Sequence, residues 1–184
     1  MIPSNLRVAT GVAAGVVILT VATSAASNAQ GTVSLLDYKA TIPVGWATAP
    51  SSSSMRLAQY TIPRPDGSLG AEVVVYFFGT GQGGDVAANL ERWKEQFSTP
   101  DGSPVYDKVT RDSAGAISIT VAEYRGTYAR GVGAGDAAKA KAGQSLIAAI
   151  AETPRGTLFF QLFGATEHVS PQRDPLIAFV RSLR

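Results

Sequence analysis

Apolar residues recur along this chain with two different periods, and the change of period marks its elements. Within Ala116–Tyr128, Ile117, Ile119 and Val121 alternate with Ser118 and Thr120, as in a half-buried strand. After Asp85, Val86, Leu90, Trp93 and Phe97 recur at i, i+4, i+7 and i+11, which is one face of a helix. Glu91, Arg92, Lys94 and Glu95 take the other face. Asp85 is placed to cap the free amides at the helix start, and Pro100-Asp101-Gly102 to stop it. Val73–Phe78 is apolar without alternation, which predicts a mid-sheet strand covered on both faces.

The remaining pattern fills in the order of elements. Thr32–Ile42 reads as one extended segment ending at Pro43, and Met55–Ile62 as a strand. Pro65-Asp66-Gly67 predicts a turn, because proline presets φ and glycine accepts positive φ. Val105–Arg111 and Ala116–Tyr128 read as strands joined by Asp112–Gly115. Ser145–Ala151 and Thr157–Phe163 form a second hairpin around Thr153–Gly156. Residues 131–143 are low in complexity and read as a mobile loop. Leu176, Phe179, Val180 and Leu183 give a final helix its buried face. Its start is expected at Asp174 with Pro175 first in the helix, in preference to Ser170 and Pro171. Two hairpins imply a mainly antiparallel sheet, and two amphipathic helices can cover it. The fold class is α+β, in a single domain over residues 30–184.

The N-terminus adds a destination. Arg7 precedes an apolar stretch, Val8–Ala26, and small residues at Ser27 and Ala29 suit a cleavage site. Residues 1–29 therefore read as a signal peptide, with an uncleaved membrane anchor over residues 8–26 as the alternative. An exported protein, periplasmic or extracellular, is expected, with membrane contact only through that segment. The chain has no cysteine, so the mature domain holds together by its core alone. Lys and Arg number 16 against 14 Asp and Glu, and they are scattered, which argues against a nucleic-acid partner.

Candidate chemistry is sparse. Gly79, Gly81 and Gly84 spell G-x-G-x-x-G between a strand and a helix. A dinucleotide site needs that loop inside a parallel β-α-β unit, and the chain leads instead into a hairpin. An anion at the helix N-terminus stays open as a reading. His168 is the only histidine, which with no cysteine rules out the usual zinc sites, and it is expected in an exposed loop. No G-x-S-x-G surrounds any serine. Glu72 and Glu123 lie on expected strands, either as partners of Arg56 or Arg125 or, if they share a cleft, as an acid–base pair. Lys139 and Lys141, with Arg125 and Arg130, give the 131–143 region a basic cast, most simply a solvated loop.

Longer stretches carry a resemblance. ATIPVGW, the apolar strand leading to a helix, and SLIAAIAETPRGTLFFQLFG followed by LIAFVRSLR look like PsbP-like proteins. PSSSSMRLAQY and VVVYFFGTGQGGDVAANLERWKEQF are similar to a family of exported bacterial proteins associated with that fold. The resemblance implies an antiparallel sheet with helices on both sides, an α/β/α sandwich. It also implies a non-catalytic accessory role and carries over no site residue.

Three functions follow as expectations. The first is an exported, non-catalytic, monomeric domain that binds a protein or envelope partner. The second is a small-molecule or anion binder near the glycine loop, using Trp46, Ser53, Ser54, Arg56, Gly81, Gln82, Gly83 and Asp85. The third is a hydrolase working through Glu72 and Glu123. No catalytic residue, metal or cofactor is assigned.

Overall fold

The computed structural model describes residues 31–51, 53–129 and 140–184. The expected signal peptide, residues 1–29, and residues 131–139 of the expected loop lie outside the described residues. The first half of the domain holds strands β1 (Thr32–Leu35), β2 (Tyr38–Thr41), β3 (Ala47–Ala49), β4 (Arg56–Pro63) and β5 (Leu69–Tyr76), then helix α1 (Val86–Lys94). The second half holds β6 (Phe97–Ser98), β7 (Tyr106–Ala114), β8 (Ile117–Tyr128), β9 (Lys141–Thr153), β10 (Gly156–Ala165), the one-turn helix α2 (Thr166–Val169) and helix α3 (Arg173–Arg181). β1 and β2 form a small hairpin. The main sheet has eight strands in the order β3-β4-β5-β10-β9-β8-β6, with β7 also beside β8. Every pairing among the described residues is antiparallel.

Alternation along the central strands produces two cores. Ile147, Ala149 and Ala151 of β9 and Leu158, Phe160 and Leu162 of β10 face one side. There they meet Leu176, Phe179 and Val180 of α3 and Val169 of α2. Leu146, Ala148, Ile150 and Phe159 face the other side and meet Trp93 of α1. Strand side chains point to opposite faces in turn, so helices cover both sides of one sheet. The mid-sheet position expected for β5 is observed between β4 and β10, with Val73, Val74 and Val75 all buried.

Several boundaries differ from the sequence expectation. Thr32–Ile42 is not one strand but the β1–β2 hairpin, reversed at Leu36, whose φ is 55°. The reversal lets both Leu35 and Ala40 reach the core. α1 ends at Lys94, well before Pro100, because Phe97 leaves to pair with Tyr128 and pack on Tyr124. The β7–β8 turn is only Gly115-Ala116, so Asp112–Ala114 belong to the strand. Lys141–Gly143 begin β9 and are not loop. Helical structure at the C-terminus begins at Thr166, earlier than either expected start. Pro171 and Pro175 each remove a donor from the i→i−4 ladder, and the run divides into α2, a 3-10 turn and α3.

Buried polar groups tie these layers together. The Tyr124 hydroxyl donates to Leu90 O at 2.9 Å, fixing α1 over β8. Glu123 is 3% exposed, and Arg173 Nε donates to its Oε1 at 2.6 Å, anchoring the start of α3. Burial pushes the hydroxyls of Tyr60 and Tyr124 up to about 12, with the charges of Asp107 and Glu91 adding to the shift at Tyr124. An unfolded tyrosine ionises near about 10. The stability these neutral hydroxyls contribute is therefore complete below about pH 10 and is lost as the pH rises toward 12. Urea denaturation between about pH 9 and 11.5 should show a falling midpoint, and Tyr60→Phe should flatten the fall. A wild-type midpoint constant across that range would contradict this account.

Candidate functional site

The glycine loop is shaped by contacts that only glycine permits. Gly79, Gly81, Gly83 and Gly84 have φ of 106°, 71°, 96° and 78°. At Gly83 a Cβ would lie 2.7 Å from the Phe159 ring, so the loop lies flat on that side chain. Asn89 then fastens the loop from within the helix. It is 1% exposed, and its Nδ2 donates to Gly83 O and to Asp85 O, each at 2.8 Å. Its Oδ1 accepts from Arg92. All the hydrogen-bonding capacity of the Asn89 amino group is used inside the protein.

This arrangement decides the readings of the G-x-G-x-x-G sequence. β5 pairs antiparallel with β4 and β10, so no parallel β-α-β unit surrounds the loop. The helix N-terminus is already served by the carboxylate of Asp85, whose Oδ1 accepts from Ala88 N at 2.7 Å. That negative charge sits where a bound anion would need to be and repels it.

The eight proposed binding residues do not converge. Trp46 belongs to the core under α3, on the opposite face of the sheet from α1. Its ring packs on Tyr60 and Phe179, and its Nε1 donates to Gln172 Oε1 at 2.9 Å. Ser53 and Ser54 are exposed, and Ser53 O accepts from Arg56 N at 3.1 Å, closing a local turn. That turn lies at the end of β5, since Phe77 N donates to Met55 O at 3.0 Å. Gly81 and Gln82 are exposed at the tip of the glycine loop. Arg56 and Gly83 do approach a common feature: Arg56 lies 5.6 Å over the Tyr76 ring, and Gly83 backs Phe78 and Phe159.

That feature is a cleft of about 190 Å³ between α1 and the sheet, lined by Tyr76, Phe78, Arg92, Trp93, Gln96, Tyr128, Phe159 and Gln161. It exists because α1 lies over β8, while among the described residues no helix lies above β4, β5 and half of β10 on that face. The open half is polar and aromatic. Gln59, Val74 and Gln161 lie side by side across three strands, as do Tyr76 and Phe159. The Tyr76 and Phe78 rings stack at 5.8 Å with planes 7° apart. Arg92 has no carboxylate in ion-pair range among the described residues. The sequence reading missed this set. One signal was available: Asn89 is a polar residue at the i+3 position of the Val86–Leu90–Trp93 stripe.

Glu72 and Glu123 do not form a pair. Glu72 pairs across with Phe163 on the α1 face, and Glu123 with Ile147 on the α3 face. Glu72 Oε1 accepts from Gln59 at 2.6 Å and lies 3.6 Å from Arg56, while Glu123 is held by Arg173 and Arg125. His168 is on α2 and not in a loop, partly covered and 3.2 Å from Glu167. Among the described residues no three His, Asp or Glu side chains gather as metal ligands. Comparison of the chain with known protein families finds no match, and none is found among curated proteins.

Gly81→Ala should cost about 1 kcal/mol, the left-handed backbone penalty in open space. Gly83→Ala should cost about 2–4 kcal/mol, because the methyl also strikes Phe159. Urea midpoints of the two variants would compare them, and equal losses would refute the packing role given to Gly83.

Proposed function

We propose that this chain is an exported, non-catalytic binding module of the PsbP-like α/β/α type. It recognises a protein or envelope partner through the open half of the face that carries α1. The order of elements, the antiparallel sheet and the apolar N-terminal segment all support this reading. The separation of Glu72 and Glu123 onto opposite faces removes the only acid pair that argued for a hydrolase.

The observation that carries the proposal is the aromatic cleft beside Arg92. Rings form part of its walls, and its accessible lining is mainly polar, with Arg92, Gln96 and Gln161 among it. Sites for whole drug-sized ligands run to about 300–1,000 Å³. At about 190 Å³ this cleft is better matched to one side chain of a partner, a polar or acidic one that Arg92, Gln96 and Gln161 can meet. The exposed apolar surface of Met55 and Phe78 extends the same patch to the end of the sheet.

A photo-reactive residue at Gln161 of the full chain tests this in envelope extracts, with Asp174 on the other face as the control position. One discrete adduct is expected from position 161 and none from position 174. Phe78→Ala with Arg92→Ala should reduce its yield at least about tenfold. Equal labelling from both positions, or an adduct unaffected by the double substitution, would overturn the proposal.

A further inference from the structure

The two edges of the main sheet are unlike. β3 has three residues, with Pro43 before it and Pro50 directly after it. Short strands and prolines are common guards against unwanted strand addition. β7 has neither. It runs nine residues without proline, in unbroken register from Tyr106 opposite Arg125 to Ala114 opposite Ile117. None of its residues is buried, and Val109 is 46% exposed. Among the described residues its protection is charge, from Asp107, Lys108, Arg111 and Asp112.

Those charges are complementary to themselves. Two β7 strands laid antiparallel about Val109 set Val109 against its counterpart, Asp107 against Arg111 twice, and Lys108 against Thr110 twice. A slip of one residue toward Thr110 sets Lys108 against Arg111 and Asp107 against Asp112, which repel, and a slip the other way loses both Asp107–Arg111 pairs. Centring on Thr110 would draw on Asp112, whose Oδ2 is already held by Arg181 at 2.6 Å, and would leave Val109 facing Arg111. The Val109 register avoids the second cost and lessens the first, since Asp112 also has its Oδ1 engaged by Ser113 N at 2.8 Å, whereas Asp107 is held at one oxygen. Arg111 has no carboxylate partner among the described residues, and Asp107 gives only Oδ2 to Lys94, at 2.6 Å.

We propose that β7 pairs with β7 of a second copy of this chain, antiparallel and centred on Val109, so that two sheets become one. The sequence reading expects a monomer; the long, regular, self-complementary edge argues for a second copy. A strand-to-strand contact buries less than the roughly 1,000 Å² of a stable interface, so the dimer is weak and concentration-dependent.

The absence of native cysteine makes the register directly testable in the full chain. Across the proposed axis, Val109→Cys brings two thiols within disulfide range. Ser113→Cys places them roughly 27 Å apart, at about 3.4 Å per residue. Under mild oxidation Val109→Cys should form a disulfide dimer at least about tenfold faster than Ser113→Cys. Adding Asp107→Arg should slow it about tenfold, and adding Arg111→Asp as well should restore it. Equal rates at positions 109 and 113 would overturn the proposal. So would a rate indifferent to Asp107→Arg, or one that the double charge exchange fails to restore.

Discussion

The contact between the ring of Phe159 and the bare Cα of Gly83 organises one whole side of this protein. Phe159 is 1% exposed and sits in the middle of the sheet face that α1 covers. Trp93 meets its ring edge-on at 6.4 Å, and Phe78 lies tilted against it at 5.5 Å. The glycine loop must pass over this cluster to carry the chain from β5 into α1, and a side chain at residue 83 would lift it off. Asn89 then holds the loop at that height, by bonds to Gly83 and Asp85. The position of α1, and so the cleft between α1 and β10, follows from that one close approach.

This explains which parts of the structure were legible in sequence. Period-two and period-3.6 patterns reported burial in β8 and on the faces of α1 and α3, the unalternating apolar run reported the mid-sheet place of β5, and the turn at Thr153–Gly156 reported the β9–β10 hairpin. Boundaries set by tertiary contacts could not. Phe97 fits the helical stripe by spacing, yet it belongs to β6, because pairing with Tyr128 and packing on Tyr124 bury it better. The candidate site failed for a related reason. Trp46, Arg56 and Gly83 come from separate segments, and Trp46 packs under α3 while Arg56 and Gly83 lie on the α1 face. Arg92 and Gln161 are far apart in sequence, and only the seating of α1 beside β10 brings them to one cleft.

The two faces also divide the work. The α3 face is closed: Trp46, Tyr60, Phe160 and Phe179 interlock, and the β1–β2 hairpin contributes Leu35 and Ala40. Close-packed apolar surface of this kind secures the fold and offers little to a partner. Among the described residues, the α1 face is closed over β8, β9 and the Phe159 part of β10. Its open half keeps polar groups paired internally, as in the Arg56–Gln59–Glu72 chain, next to rings that are only partly covered. Surface of mixed aromatic and polar character, with one arginine not committed to a carboxylate among the described residues, is the composition that recognition surfaces favour.

The cleft and the β7 edge are linked through one ion pair. Asp107 on β7 holds Lys94, the last residue of α1, and Arg92, Trp93 and Gln96 around it line the cleft. The pair is exposed, and such pairs contribute little to stability on their own. Its geometric effect is larger than its energy, because it fixes the C-terminal end of a nine-residue helix whose other end is fixed by Asn89 and Asp85. A second copy pairing at β7 would draw on the free oxygen of Asp107 and would pack beside this end of α1. Any such pairing therefore acts on the same short helix that forms one wall of the cleft. Coupling between the two surfaces needs no rearrangement of the sheet, only a change in how firmly the last turn of α1 is held.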